Sequence, residues 1–345
     1  MKKMDIVNLI RCHVENDDAA FRRQARQIAR DFDSEGDTRL AEYLSGLLSG
    51  DEGFVPQSEV SPDSDFFRKV EPDKELYLLP DVITKDLLGI VHAMERNISI
   101  HRFLFQGKPG TGKTEAAKQL AKLTGRTLFL VDFTTVIDSR LGQTQKNLTS
   151  LFTQMNRYYA KTKAIFLFDE IDAIALDRID EHDLREMGRA TSTILRELDG
   201  LDPQVMLIAT TNLYDRLDKA LQRRFDAVIS FDRYTQQDLM EIAEHMLDQY
   251  LDRLHLSNHD IRLFRKIMQQ KTPLPYPGDL KNMIRTAVAF SDPHDDYDYF
   301  RRLYTALLGK EPSDPEELRE QGFTVREIAL LTGSSKSTID RKLKE

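Results

Sequence analysis

The sequence predicts an α/β fold: a phosphate-loop core with a parallel sheet flanked by helices, plus a small helical lid, an N-terminal helical domain and a C-terminal helix-turn-helix. Three observations predict it. First, four apolar runs alternate with helical segments: Arg102-Phe103-Leu104-Phe105, Thr127-Leu128-Phe129-Leu130-Val131, Ala164-Ile165-Phe166-Leu167-Phe168 and Val205-Met206-Leu207-Ile208-Ala209. Uninterrupted apolar strands between helices belong to a sheet buried on both faces. Second, a glycine-rich loop at 107–114 follows the first run and opens a helix over 115–123. Third, residues 236–290 carry helical spacing alone.

Taken in order, residues 1–48 read as a helical domain. Phe21, Ala25 and Ile28 keep helical spacing, as do Leu40, Tyr43, Leu44 and Leu47, with Gly36 between them. Arg22, Arg26 and Arg30 share a face, either solvated or docking an acidic partner. Residues 49–75 are rich in Gly, Pro, Ser and acids and read as a linker. The large α/β domain follows over 76–235, the lid over 236–290, a connector over 291–315 and the tail over 316–345.

Composition bounds the rest. The 345 residues are 40% hydrophobic and 31% charged, as in soluble globular proteins. A net charge of -8 argues against a surface coated for nucleic acid and leaves room for a local basic patch. The single Cys12 cannot form an internal disulfide, which suits a reducing cytoplasm. No apolar stretch reaches the roughly 20 residues of a membrane span. Asp5, Asn8 and Arg11 interrupt the apolar residues after Met1-Lys2-Lys3, so the start does not read as an export signal. The expectation is a soluble cytoplasmic protein without membrane contact.

The loop Gly107-Lys108-Pro109-Gly110-Thr111-Gly112-Lys113-Thr114 fits G-x-x-x-x-G-K-[ST]. Pro109, Gly110, Thr111 and Gly112 are candidate phosphate-binding residues: the glycines let backbone N–H groups turn inward around phosphate oxygens, at a helix N-terminus that favours anions. Lys113 suits the β and γ phosphates of ATP, and the Thr114 hydroxyl suits Mg²⁺. The apolar run 164–168 then delivers Asp169 and Glu170, 56 residues after Lys113. Asp169 would hold Mg²⁺ through water, and Glu170 would orient and deprotonate the attacking water. Asn212, after the fourth run, either reaches the γ-phosphate or caps the next turn. Arg223 and Arg224 precede Phe225-Asp226 and suit transition-state charge on a neighbour's nucleotide, although such pairs are commonly surface charge.

These pieces, in this order, resemble the AAA ATPase family of the AAA+ class over about residues 76–290. The resemblance implies ATP hydrolysis with Mg²⁺. It implies Asn212 as sensor 1 and Arg223 and Arg224 as fingers acting in trans, which requires a homo-oligomer, usually a hexameric ring. The family's Arg-Pro-Gly-Arg-Phe is shortened here to Arg-Arg-Phe, which leaves open which arginine leads. Gly278, in Pro277-Gly278-Asp279-Leu280-Lys281, stands in the sensor 2 segment. Val82 and Ile83 occupy the place of the adenine-contacting turn. The N-terminal region and the loop 141–147 are similar to bacterial stand-alone AAA ATPases, some linked with subtilisin-like serine proteases in anti-phage defence. The resemblance therefore implies remodelling or switching of a protein partner. Rival readings are a DNA-binding ATP switch, such as a transposition regulator or helicase loader, and a slowly hydrolysing scaffold.

One departure bears on the work done. Arg140 and Leu141 stand where many relatives carry a pore aromatic and its apolar neighbour. A charge grips a threaded chain differently from a flat apolar ring. The alternatives are another grip, an acidic or nucleic-acid substrate, a switch without threading, or a plain loop charge. A second loop, 177–189, mixes both charge signs and is a further pore-facing candidate.

The tail reads as two helices joined at Gly333, with Ser334 or Ser335 as cap and Ala329 and Ile339 in a shared core. Five basic and three acidic groups over 322–345 give +2 (5 − 3), so residues 325–344 suit either DNA contact or protein docking.

Overall fold

The computed structural model describes residues 18–34, 64, 66–71, 78–96, 99–137, 142–158, 160–175, 184–254 and 260–344. Met1–Ser64 and Asp65–Glu345 are separate compact units. In the first, α1 (Asp18–Ser34) buries Ile28 of the predicted set together with Ala29, while Phe21 and Ala25 are half-buried. Arg30 is exposed, whereas the Arg22 and Arg26 side chains and the second predicted helix lie outside the described residues.

The second unit is built on a six-stranded sheet in the order β1-β3-β4-β5-β2-β6. The predicted runs form β2 (Arg102–Gln106), β3 (Thr127–Val131), β4 (Ala164–Phe168) and β5 (Met206–Thr211), all mutually parallel where paired. Their side chains are almost wholly buried, as strands sandwiched between helices must be. Two edge strands escaped the sequence reading. β1 (Phe67–Val70) lies within the expected linker and pairs antiparallel with β3. Only Phe67 in it is buried, against Phe129 and Phe166, so no apolar run marks it. β6 (Ala227–Ser230) pairs parallel with β2 and is half-exposed.

Helices cover both faces. α2 (Asp81–Glu95) and α3 (Lys113–Thr124) pack on one side through Ile83, Leu87, Ile90, Leu120 and Ala121. On the other lie α4 (Phe133–Val136), α5 (Gln143–Arg157), α6 (Asp172–Ala175) and α7 (Leu184–Asp199), with Leu148, Leu151, Phe152, Ile194 and Leu198 against Phe166 and Phe168. A short helix, α8 (Lys219–Gln222), precedes β6. The pore-loop residues Arg140 and Leu141, and 177–183 of the second loop, lie outside the described residues.

The rest is helical: α9 (Gln236–Arg253), α10 (Ile261–Gln269), α11 (Pro277–Ala289), α12 (Asp298–Leu308), α13 (Pro315–Glu320), α14 (Val325–Thr332) and α15 (Lys336–Lys342). The packing differs from the expected connector and separate tail. α12 lies within 291–315 and buries Tyr299, Phe300, Leu303, Tyr304 and Leu307. Leu318, Phe323, Ile328, Leu331 and Ile339 of the tail join the same hydrophobic cluster as Leu247, Phe264 and Ile284 of α9–α11. Seven-residue helices cannot stand alone, and this cluster supplies their burial. Thr324 and Glu327 form a capping box, Gly333 takes the left-handed conformation (φ 66°), and Ser335 accepts from the Thr338 N–H.

A shared cluster makes a testable demand. Ile339 is fully buried, so Ile339→Ala is expected to lower stability by about 2–5 kcal/mol and to shift the unfolding of 236–342 as one unit. Hydrogen exchange confined to the last two helices would contradict that.

Candidate functional site

The loop at 107–114 is shaped by backbone that only glycine adopts readily. Gly107, Gly110 and Gly112 have φ of 153°, 76° and 88°. A Cβ on Gly107 would also meet Phe231 Cβ at 3.0 Å and Asp232 Oδ1 at 3.2 Å. The Gly107 N–H donates to the Thr211 carbonyl (3.3 Å) and the Lys108 N–H to Asp232 (2.8 Å), tying the loop to β5 and to the segment after β6.

Lys113 opens α3 and is 7% exposed. Its ammonium donates to the carbonyls of Gly107 (2.7 Å) and Lys108 (2.9 Å) and to Asn212 Oδ1 (2.7 Å). Burial pulls its pKa below the usual lysine range, against the opposing fields of Asp232, Asp169, Asp172 and Glu170. Asn212 turns its other end toward Glu170: Nδ2 donates to Oε1 at 3.4 Å.

β4 and β5 run side by side with Phe168 opposite Ala209, so residues 169–170 emerge beside 210–212. Thr210 joins the two acids: its hydroxyl donates to Asp169 Oδ1 (2.6 Å) and accepts from the Glu170 N–H (2.8 Å). Thr114 donates to Asp169 from the other side, 2.9 and 3.2 Å from its two oxygens. Glu170 has φ 54°, the single non-glycine residue with positive φ among those described. Strain of this kind concentrates at functional sites. Buried Asp172 accepts from the Thr211 hydroxyl and from the Asn212 N–H (2.9 Å), fixing the end of β5.

The cleft above these groups holds about 280 Å³ and is lined on its apolar side by Leu78, Leu79, Tyr234, Met246 and Pro277. Tyr234 donates to the Thr111 carbonyl at 2.7 Å, and burial raises its pKa. At the cleft's far wall the Gly278 N–H donates to the Gly110 carbonyl (2.8 Å). A Cβ on Gly278 would sit 2.8 Å from Gly110 Cα.

The structure thus brings together Pro109, Gly110, Gly112, Lys113, Thr114, Asp169, Glu170, Asn212 and Gly278 around one cleft. Thr111 is buried beneath the loop and donates to the Lys108 carbonyl (2.8 Å). Val82 and Ile83 are not in the lining. They lie in the first turns of α2, where Ile83 is buried in the core and Val82 faces outward, while Leu78 and Leu79 line the cleft instead. Arg223 and Arg224 are also outside it. Arg224 forks onto Asp199 (both contacts 3.2 Å) and donates to the Ala220 carbonyl, whereas Arg223 is exposed and makes no side-chain bond among the described residues. Sequence reasoning missed Thr210, Asp172, Tyr234, Asp232, Leu78 and Leu79. Thr210, beside Asn212, and Asp172, two residues after Glu170, carried the strongest positional signal for a site role.

A glycine phosphate loop opening a helix, with an acidic pair on the neighbouring strand, defines a P-loop nucleotide-hydrolysing fold. The family model for ATPases associated with various cellular activities (AAA) matches residues 103–233. A relative from Sinorhizobium fredii, the uncharacterised AAA family ATPase y4kL, is 32% identical over 63% of this chain and 70% of its own length. Proteasome-activating nucleotidase of Pyrococcus abyssi is 36% identical over 48% of this chain and 42% of its own length, so the match spans about two fifths of that relative. A chain of the E. coli MS115-1 HORMA:CdnC:Trip13 complex shares the fold at TM-score 0.54 and 18% identity, over 69% of this chain and 95% of that one. The chain belongs to the AAA ATPase family and is an ATP-hydrolysing enzyme. Among the described residues no helix is long and apolar enough to cross a membrane.

The backbone fit at Gly278 generates a prediction. Gly278→Ala forces loop and lid apart and is expected to weaken ATP binding roughly tenfold or more, read by titration with a fluorescent ATP analogue. Unchanged affinity would mean that the lid contact is dispensable.

Proposed function

We propose that the chain works as a homo-oligomeric, Mg²⁺-dependent ATPase, in a ring of six by family habit, whose turnover remodels or switches a protein partner. The observation that carries it is the split of the candidate machinery: one cleft gathers Lys113, Thr114, Asp169, Glu170 and Asn212, while exposed Arg223 lies outside it with no side-chain partner among the described residues. A cation in that position suits a neighbour's cleft.

Within one subunit, Lys113 holds the β and γ phosphates at the mouth of α3, where the loop's N–H groups share the negative charge. Glu170 takes the proton of the attacking water, with Asn212 bonded to its carboxylate and the Thr210 hydroxyl holding its backbone N–H. The Thr114 hydroxyl and Asp169 carboxylate are hard oxygen donors at one point of the cleft, the donor set Mg²⁺ prefers. The ion would neutralise charge on the phosphates. Arg223 acts as the reaching finger, and Arg224 anchors its loop through Asp199. The narrower proposal, a serine protease partner in anti-phage defence, rests on the N-terminal region and the loop at 141–147.

Two experiments test this reading. Glu170→Gln is expected to keep ATP affinity and lower turnover by roughly 10²–10⁴. Normal turnover in that variant sinks the general-base role. Arg223→Ala subunits mixed with Glu170→Gln subunits should recover part of the activity each lacks alone. No recovery at any ratio counts against action in trans.

A further inference from the structure

α14 and α15 are joined by the three residues Gly333, Ser334 and Ser335, and one side of α15 is turned inward. Ile339 is buried and Leu343, one turn on, packs against the same cluster. Ser337, Arg341 and Lys344, at i, i+4 and i+7, fall on the opposite side and are exposed. Lys336 and Lys342 flank them, also exposed, and the acid within the helix, Asp340, is half-buried.

These cations differ from others in the same unit. Lys266 pairs with Glu327, Arg265 with Glu244, Arg301 with Asp295, Arg302 with Asp298 and Lys310 with Glu317. Lys336, Arg341, Lys342 and Lys344 have no carboxylate partner among the described residues. A chain of net charge -8 therefore carries, on and just after one short outward helix, four cations that no carboxylate among the described residues pairs.

The chemistry of that face selects its partner. It shows cations and hydroxyls (Ser337, Thr338) and no large apolar side chain. A protein interface would bring an apolar centre, and a membrane surface would need residues to insert. A row of phosphates asks for cations with hydroxyls between them. A helix pair with a short turn and a solvent-facing second helix is the shape that enters a major groove.

The same pair is fixed to the lid. Glu327 of α14 takes the Lys266 ammonium of α10 at 2.7 Å, Gln270 donates to the Gln321 carbonyl (3.1 Å), and Arg301 of α12 donates to the Leu330 carbonyl (3.0 Å). Burial pushes the Glu327 carboxyl up, but bonds from Lys266 and Thr324 outweigh it and hold it below its usual range. α11 shares this core, and its first turn meets the phosphate loop through the Gly278 N–H bond to the Gly110 carbonyl.

We infer that α14 and α15 form a duplex-DNA contact surface, with α15 as the groove-facing helix, and that its affinity is linked to the nucleotide held in the cleft through the lid. The DNA contact is independent of the proposed function; the linkage rests on it. Whatever shifts the lid on the loop carries the tail, and linkage makes the effect reciprocal.

The test is fluorescence anisotropy of a labelled duplex of mixed sequence, about two helical turns long, with the full chain. Binding is expected to fall steeply with salt. Arg341→Glu/Lys342→Glu/Lys344→Glu is expected to weaken it about tenfold or more, with an unchanged unfolding midpoint and unchanged basal ATP turnover. Lys85→Glu/Lys122→Glu, at exposed positions of α2 and α3, is expected to leave it intact. No duplex binding, equal loss from both variants, or preference for single-stranded RNA overturns the DNA surface. A duplex Kd about fivefold or more apart between ADP and a non-hydrolysable ATP analogue supports the linkage. Equal values overturn the linkage alone, and loss of ATP binding without loss of duplex binding faults the cleft, not the tail.

Discussion

A buried ammonium organises the nucleotide cleft. Lys113 is withdrawn from water at the start of a helix whose dipole repels a cation there. Such a charge is tolerated only with close oxygen partners. Two loop carbonyls and Asn212 Oδ1 provide them, and each requires a particular backbone. The carbonyls turn inward because Gly107, Gly110 and Gly112 take φ values that side chains resist. Asn212 arrives because Asp172 pins the last residues of β5. The four acids Asp169, Glu170, Asp172 and Asp232 set the field that offsets the burial. Glycines, Asn212 and acids are thus linked consequences of one placement.

Strand order then does what sequence order cannot. β5 lies between β4 and β2, although 37 residues separate the end of β4 from the start of β5. That insertion puts Thr210 within reach of both acids and Asn212 between Glu170 and Lys113. The positive φ of Glu170 belongs to the same design. The chain must leave β4, expose a carboxylate and enter α6 within three residues, and the Thr210 bond to the Glu170 N–H holds that turn.

The central strands were legible because they are apolar and bounded, and the phosphate loop because its glycines, lysine and threonine each have one physical reason to be there. β1 and β6 were not, since edge strands bury one face and Arg68-Lys69 or Val228 look like loop residues. Leu78 and Leu79 were hidden by a different ambiguity: beside Val82 and Ile83, any apolar pair in the stretch could have faced the cleft, and only the helical start at Asp81 turns Ile83 into the core. Asp232 and Tyr234 follow a strand that was itself unread, so nothing in spacing connected them to loop residues 124 and 123 positions earlier. The tail's two helices were legible from Ala329, Gly333 and Ile339, but their burial was not, because the surface they cover is formed by α10 and α12.

The loop bearing Arg223 and Arg224 has its own anchor, and that anchor connects it to the cleft. Asp226 accepts from the Arg102 guanidinium (2.8 Å) and from the backbone N–H groups of His101 and Arg102 (3.0 and 2.9 Å). Burial raises the Asp226 pKa, and these bonds more than reverse it. Arg102 begins β2, and β2 runs five residues to Gly107. A strand of that length spans about 17 Å and is stiff along its axis. The two arginines and the phosphate loop therefore sit at opposite ends of one buried strut. Under the proposed action in trans, an arginine placed on a neighbour's nucleotide would report, through that strut, the position of the loop that holds its own. In the proposed oligomer, sites in adjacent subunits would then be mechanically referenced to each other with only the arginine crossing between them.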